Sequence, residues 1–307
     1  AMTLLGWIDP FHLFIATIVV VIVELLALLS PQRASTRHVD RRKLERDRTG
    51  APGVLSMEKD LIKTYRLFLK DSIRKVVDFS QTDQNRGIKP PPLEKPFAED
   101  AVRVDLPRNV QFGKIGQIDL AAAIGNRESR RAYRRSPLSL DEMSFLLWAT
   151  QGVKEKLDPG HALRTVPSAG CRHALETYLV ILNVSGMEQG VYRYLPLEHQ
   201  LLLEFTEKNL ERKIVRAALD QPYPGEAAVT FVWTAVPYRM EWRYGLAAHK
   251  VIALDAGHVC QNLYLACEAI GAGTCAVAAY HQEAMDELLR VDGRDEFTVY
   301  LAPVGRI

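Results

Sequence analysis

The longest hydrophobic stretch of the chain lies near its start, over residues 11–29. It reads FHLFIATIVVVIVELLALL, and its only ionisable residues are His12 and Glu24. A helix of this length spans about 28 Å, close to the roughly 30 Å hydrocarbon core of a bilayer. The pattern therefore predicts one transmembrane helix within residues 1–31, with a buried core helix as the alternative.

The basic residues after this stretch predict its orientation. Residues 33–48 contain seven Arg and Lys against three Asp and Glu, whereas residues 1–10 contain no Lys or Arg. A secretory signal has the opposite arrangement, with its positive charge first. The rest of the chain is therefore expected on the cytoplasmic side of the inner (cytoplasmic) membrane, anchored by a single pass. Membrane lipid is a predicted partner. A carboxylate is costly in lipid, so Glu24 is expected either to extend to the membrane surface or to contact another subunit of a membrane complex.

Residues 32–112 are predicted to connect this anchor to a larger domain. Residues 32–53 form a basic linker, and apolar residues at helical spacing predict a helix over 57–79. In residues 87–109, three successive prolines at 90–92 exclude a helix and a central strand. We expect this last segment to lie as an extended strap over the surface of the main domain.

The main domain, residues 113–307, has short hydrophobic runs between segments of helical periodicity. Ser139 and Glu142 have the spacing of a capping box, which predicts a helix that runs through Trp148. The other predicted elements are strands at 175–184, 229–236 and 297–304, a hairpin at 191–205, and helices at 247–270 and 282–289. Strands and helices do not alternate regularly along the chain, which predicts an α+β fold with an antiparallel or mixed sheet flanked by helices.

Composition and charge narrow the possible functions. Hydrophobic residues make up 48% and charged residues 25% of the 307 residues, as is typical of a folded globular protein. A formal charge of +2 gives no reason to expect a nucleic-acid partner. The four cysteines lack zinc-binding spacing, so we expect reduced thiols and no metal site. The common nucleotide-binding, serine hydrolase and zinc protease motifs are absent from the sequence.

Two segments of the main domain contain candidate chemistry. Arg127, Ser129 and Arg131 belong to the run NRESRRAY, which on about two helical turns could bind an anion. A basic helix surface is the alternative. Residues 164–171, RTVPSAGC, place small residues directly before a predicted strand. A flat ligand could lie there against backbone amides, and a plain loop is again the alternative.

Four segments in this order resemble the nitroreductase superfamily of FMN-dependent oxidoreductases. They are NRESRRAYRRSPLSLDEMSFLLWATQGV, RTVPSAGCRHALETYLVIL, RYGLAAHKVIALDAGHVCQNLYLACEAIGAGT and VYLAPVG. The resemblance covers residues 90–304 and is greatest to the SagB/ThcOx-type, azoline dehydrogenase-like branch. It implies a nitroreductase-like fold over 113–307 and a homodimer that binds FMN at the subunit interface.

The resemblance also implies which residues contact the flavin. The R-x-S-x-R pattern at 127–131 corresponds to phosphate and ribityl contacts, and the loop at 167–170 to the one that the partner subunit lays against the flavin. Residues 278–279 correspond to backbone amides near flavin N5. Arg306 is a candidate to replace basic residues that close over the phosphate in relatives. The implied cofactor-binding residues are Arg127, Ser129, Arg131, Pro167, Ser168, Ala169, Gly170, Ala278, Ala279 and Arg306.

Arg243 and Tyr244 are the candidate catalytic residues, because they match a Lys–Tyr pair of the azoline-oxidising branch. Arginine stays protonated and cannot serve as the base, which leaves Tyr244 as an acid or an orienting group. Two functions stay open. One is a membrane-tethered FMN-dependent oxidoreductase that transfers two electrons, as hydride, in ping-pong order between NAD(P)H or another electron donor and an unknown small molecule. The other is an accessory subunit of a membrane complex with this fold and reduced or no activity.

Overall fold

A computed structural model of the chain describes residues 52–108, 115 and 117–307. The chain divides into two compact units, Ala1–Lys63 and Thr64–Ile307. The hydrophobic stretch at 11–29, and with it the predicted transmembrane helix, lies outside the described residues. Among the residues that are described, no helix has the length and hydrophobicity needed to cross a membrane.

The helix predicted over 57–79 is shorter and begins earlier than expected. Helix α1 is Pro52–Leu69, and 3-10 turns at Asp71–Lys75 and Phe79–Gln81 follow it. The helix stops because Lys70 adopts an extended conformation, with φ −84° and ψ 149°. Asp71 then begins a new turn, where its carboxylate lies 2.9 Å from Nε of Arg74.

The helices in the described part of the second unit surround a sheet. They are α2 Leu120–Asn126, α3 Leu140–Gln151, α4 Leu210–Ala217, α5 Tyr223–Glu226, α6 Tyr238–Tyr244, α7 Ala248–Ala269 and α8 Gln282–Leu289. The predicted capping box is confirmed, since Ser139 Oγ accepts from Glu142 N at 3.2 Å and Ser139 N donates to Glu142 Oε2 at 2.8 Å. The helices predicted over 247–270 and 282–289 are present as α7 and α8.

A seven-stranded antiparallel sheet forms the centre of this unit. The strands of the described residues are β1 Arg103–Asp105, β2 Val153–Asp158, β3 His161–Arg164, β4 Leu175–Ile181, β5 Gly190–Leu195, β6 Gln200–Phe205, β7 Val229–Ala235, β8 Ala272–Thr274 and β9 Phe297–Arg306. The order in the sheet is β1-β6-β5-β4-β7-β9-β8, while β2 and β3 form a separate hairpin. The predicted α+β fold with an antiparallel sheet and flanking helices is thereby confirmed.

Both faces of the sheet are covered, which explains the continuous hydrophobic runs of its central strands. Alternate residues of β7 point to opposite faces, so Phe231 and Trp233 join one core cluster and Val232 joins the other. The first cluster includes buried residues of α3 and α7, and the second includes buried residues of α4 and α8. A strand buried on both faces shows no polar alternation in its sequence.

Buried arginines hold the strap, residues 87–108, by its backbone carbonyls. Arg164 Nη2 donates to Leu93 O at 3.2 Å, and Arg193 Nη1 donates to Lys95 O at 2.9 Å. Both arginines are at most 5% exposed. A guanidinium has five N–H donors and can therefore bind several carbonyls of residues 91–96, a part of the strap that forms no strand. The strap ends in β1, which extends the sheet beyond β6.

Stability is expected to fall as pH rises, because the strap buries a carboxyl group. Burial and the neighbouring Glu198 raise the pKa of Glu94 from 4.5 to about 8. The unfolded chain loses this proton near pH 4.5, whereas the folded chain keeps it until about pH 8, so rising pH across this window favours unfolding. We expect Glu94→Gln to raise the free energy of unfolding by about 1–3 kcal/mol at pH 8 and to leave it nearly unchanged at pH 4.5.

Urea unfolding of the wild type and of Glu94→Gln at several pH values between 4.5 and 8 measures this effect. A matched control is Glu99→Gln, which changes an exposed carboxyl of the same segment. If Glu94→Gln raised the free energy of unfolding equally at pH 4.5 and pH 8, the raised pKa of Glu94 would be wrong. An effect of packing alone does not depend on the protonation of this carboxyl group.

Candidate functional site

The arginine-rich segment after α2 is extended rather than helical, which corrects the expectation of two helical turns. Arg130 N donates to Thr274 O of β8, and Arg134 N donates to Arg306 O of β9, both at 2.9 Å. These bonds add the segment to the edge of the sheet that β8 forms. In an extended segment every second side chain lies on the same side. The spacing R-x-S-x-R therefore brings residues 127, 129 and 131 to one side.

A glycine in β9 allows this close approach. A Cβ at Gly305 would lie 2.7 Å from Cγ of the Tyr133 ring, a distance that real Cβ contacts do not show. Tyr133 itself donates from its hydroxyl to Arg130 O at 2.8 Å. Any side chain at position 305 would push the segment away from the sheet and displace the arginines with it.

Tyr264 of α7 connects this segment to the residues that follow β8. Its hydroxyl is 2.8 Å from Ser129 Oγ and accepts from Ala276 N at 2.8 Å. The Arg127 guanidinium lies 5.2 Å from the centre of its ring, at a distance typical of a cation–π contact. Tyr264 was not among the residues predicted from the sequence. The available signal was a tyrosine on the buried face of an alanine-rich helix, where its hydroxyl requires a partner.

Arg127 and Arg131 are positively charged groups without a neutralising carboxylate in the described part of the chain. Arg130, between them, pairs with Glu128 at 2.7 Å. Arg131 instead lies over the ring of Tyr223, with its guanidinium 5.9 Å from the ring centre. Two uncompensated guanidiniums next to a hydroxyl form a donor set that suits a phosphate or another anion.

Arg306 has a structural contact rather than a free guanidinium. Its Nη2 donates to both carboxylate oxygens of Glu142, at 2.5 and 2.7 Å, and its Nη1 donates to Ile270 O at 2.7 Å. These bonds join the last strand to the start of α3 and to the end of α7. The geometry therefore gives no support to Arg306 as a phosphate ligand.

The loop at 167–170 is attached to α7 through a buried aspartate. Burial raises the pKa of Asp255, and the Ser168 hydroxyl and the backbone N–H of Ala169 beside its carboxylate partly offset this shift. Ser168 Oγ in turn accepts from His173 N at 2.9 Å. Asp255 thus connects the loop to α7, and no sequence pattern indicated this residue.

The structure places Arg243 and Tyr244 directly against this loop. Gly170 has φ +60°, and a Cβ on it would lie 2.6 Å from the Tyr244 hydroxyl and 2.9 Å from Arg243 Nε. Only glycine combines this left-handed backbone with so close a contact. Arg243 Nε donates to the Tyr244 hydroxyl at 3.2 Å, and its Nη1 donates to Gln84 Oε1 at 3.2 Å.

Ala278 and Ala279 are exposed and follow β8 beyond the Tyr264 contact. Ala278 borders an apolar groove of about 580 Å³ between α7 and β9, whose lining also includes Ala256 and Tyr300. The Ala279 carbonyl accepts from Gln221 Nε2 at 2.8 Å. Both alanines thus belong to the same run of chain that contacts Tyr264.

The predicted site residues form two groups along α7. The segment 127–131 and residues 276–279 meet at Tyr264, while the loop 167–170 meets Arg243 and Tyr244 near Asp255. Tyr264 follows Asp255 by nine positions, which corresponds to roughly 13.5 Å along a helix axis. Their roles in binding and catalysis stay predictions at this point.

Comparison with known proteins decides the family. The model described as the nitroreductase family matches residues 124–306, well over half of the chain. The chain belongs to the nitroreductase family. The predicted family is confirmed, and both groups of site residues lie inside the nitroreductase match.

Similar proteins agree with this assignment. A nitroreductase homologue of Methanocaldococcus jannaschii, MJ1384, is 33% identical over 197 residues, which are 64% of this chain and 96% of that protein. The trifolitoxin-processing protein TfxB of Rhizobium leguminosarum bv. trifolii is 27% identical over 163 residues, 50% of this chain. That match spans 44% of TfxB, less than half of its length. A crystal structure of a nitroreductase homologue from Ralstonia eutropha gives a TM-score of 0.55 at 25% identity, and covers 71% of this chain and 98% of that one.

Proposed function

We propose that this nitroreductase-family chain is an FMN-dependent oxidoreductase of the SagB/ThcOx type. The observation that carries the proposal is the group at 127–131. Two guanidiniums that have no carboxylate partner among the described residues flank a hydroxyl bonded to Tyr264 there. The nitroreductase family generally binds FMN, and the match spans the whole of this group. Similarity to a toxin-processing protein, TfxB, favours the SagB/ThcOx-type branch.

The residues present fit a flavin mononucleotide. Arg127 and Arg131 supply charged donors for a phosphate, and Ser129 supplies a hydroxyl for the phosphate or the ribityl chain. The exposed alanines at 278–279 leave space for a flat ring beside their backbone.

Each group has a separate task in the proposed reaction. Bound FMN supplies two-electron hydride chemistry in ping-pong order, between NAD(P)H or another donor and a small-molecule substrate. The residues at 127–131 would bind and orient the cofactor, and backbone amides at 278–279 would polarise its reactive edge. The loop at 167–170 would contact the flavin of the partner subunit. Arg243 stays charged and cannot accept a proton. The Tyr244 hydroxyl is therefore the group of this pair that could donate a proton to the substrate.

A homodimer is part of the proposal, since α7 has a face that nothing covers in the described part of the chain. Leu254 is 53% exposed, and Ala253, Gly257 and Gln261 are exposed beside it. A second copy packed on this face would bury it and bring its own loop at 167–170 towards the first flavin. The hydrophobic stretch at 11–29 would tether this dimer to the cytoplasmic side of the inner membrane.

An accessory subunit of a membrane complex is the second candidate function. The observation that favours it is Arg243, which holds the position of a lysine in the azoline-oxidising branch and cannot act as a base.

The test is an absorption spectrum of the full-length protein purified from membranes in mild detergent. We expect one flavin per protomer, a dimer in size-exclusion chromatography, and bleaching of the flavin bands by NADH or NADPH. A colourless protein that elutes with stable partner subunits would support the accessory function instead. Recovery of the full-length protein in the soluble fraction without detergent would contradict the tether.

A further inference from the structure

We infer that Arg243, Tyr244 and Gln84 form a subsite for the carboxylate of an anionic substrate, next to the proposed flavin site. The inference rests on the proposed function, because the loop at 167–170 that contacts this subsite is the one assigned to the flavin. It adds a substrate class to that function.

Arg243 has hydrogen-bond partners but no counter-ion among the described residues. Its contacts are the Tyr244 hydroxyl and the Gln84 side-chain oxygen, both neutral and both at 3.2 Å. The carboxylates closest in sequence to Gln84 and to Arg243 are engaged elsewhere. Asp83 accepts from the Tyr238 hydroxyl at 2.7 Å, and Glu241 lies 2.8 Å from His249 Nε2.

The neighbouring charges also favour an anion. Burial above all, together with the charge of Arg239 and then of Arg243, lowers the pKa of Arg172 to about 10, while exposed Asp158 opposes this shift. Arg172 donates its hydrogen bonds to backbone carbonyls, including Arg239 O at 2.9 Å, and forms no ion pair in the described chain. Arg172 and Arg243 therefore form a local excess of positive charge on partly buried groups, where charges are screened less than in water.

Arg243 and Tyr244 have hydrogen-bond donors that are free to bind a ligand, and their contacts with each other and with Gln84 hold them in place. Because Arg243 Nε donates to the Tyr244 oxygen, the Tyr244 hydrogen is available to donate outward. Arg243 Nη2 has no partner among the described residues, and Gln84 holds the guanidinium through Nη1. One hydroxyl and one guanidinium donor suit the two oxygens of a carboxylate. All three side chains are half-buried, so a ligand can reach them and water competes less strongly.

The position of the subsite connects it to the reaction. Gly170 touches both Tyr244 and Arg243, so a carboxylate bound there lies against the loop assigned to the flavin. Arg243 would anchor the substrate, and the Tyr244 proton would be shared with the bound anion. This assigns to Arg243 a role in substrate selection that needs no change of its protonation state.

Calorimetric titration of the full-length protein with hippurate and with its neutral amide, hippuramide, tests the subsite. We expect hippurate to bind at least 10-fold more tightly than hippuramide. Arg243→Gln should weaken hippurate binding about 10- to 100-fold, the range for a hydrogen bond to a charged group, and leave hippuramide binding within about twofold. The control is Arg294→Gln, which removes an exposed loop arginine and should keep the preference for hippurate.

A second variant separates charge from folding. Gln84→Glu keeps the shape and the hydrogen bond to Arg243 but supplies the missing counter-ion, and should abolish the preference for hippurate. Equal binding of the two probes by the wild type, no binding of either, or a preference that survives Arg243→Gln would each overturn the subsite. FMN content measured on the same samples keeps the two proposals apart, since a protein without FMN that prefers hippurate supports the subsite and refutes the flavin.

Discussion

Replacing Arg127 and Arg131 together by alanine is expected to weaken FMN binding by about 100-fold or more. A hydrogen bond to a charged group contributes roughly 1.5–3 kcal/mol, and the two substitutions remove the charged donors assigned to the phosphate. Neither side chain forms an ion pair in the described structure, so the loss of fold stability should be small. FMN per protomer after purification, and the affinity of the stripped protein for added FMN, measure the effect.

The matched control for this experiment lies on the same segment. Arg134→Ala with Arg135→Ala removes two exposed arginines that stand outside the R-x-S-x-R spacing. We expect this control to retain FMN, because the extended segment is held by backbone bonds such as Arg134 N to Arg306 O. Unchanged FMN stoichiometry in the double variant of Arg127 and Arg131 would refute the placement of the phosphate.

Glu176→Gln is expected to lower the free energy of unfolding by about 3–5 kcal/mol near neutral pH. Glu176 of β4 is 3% exposed, accepts from Arg239, and lies 3.7 Å from Nη1 of Arg193. Glutamine keeps the size of the side chain but leaves two buried guanidiniums without their shared charge. An uncompensated buried charge costs more than the pair contributes, which is why the expected loss is large.

Chemical denaturation in urea measures this loss, and Glu204→Gln is its control. Glu204 also pairs with Arg193, at 2.7 Å, but its side chain is 28% exposed and water can replace it. We expect Glu204→Gln to lower the free energy of unfolding by about 1 kcal/mol. A loss for Glu176→Gln no larger than that of Glu204→Gln would show that Arg193 and Arg239 do not depend on this carboxylate.

The elements predicted from sequence were those that local chemistry specifies. Ser139 and Glu142 cap α3 because both hydrogen bonds form within three residues of each other. The central strands β4 and β7 were recognisable from uninterrupted hydrophobic runs, which a strand covered on both faces requires. Short helices such as α4 and α6 were missed, although α8 of equal length to α4 was predicted. Helices of seven or eight residues depend on tertiary packing for their stability.

The sequence by itself determined the fold class, the family and the spacing of the R-x-S-x-R group, since these depend on hydrophobic pattern and on residues close together in the chain. Only the tertiary structure decided how that group is used. Its extended conformation depends on bonds from Arg130 to Thr274 and from Arg134 to Arg306, more than 140 residues away. Likewise, Arg306 is bound to Glu142, and Arg243 is held by Gln84. A side chain's partner is set by which distant segments pack together, and neither composition nor periodicity contains that information.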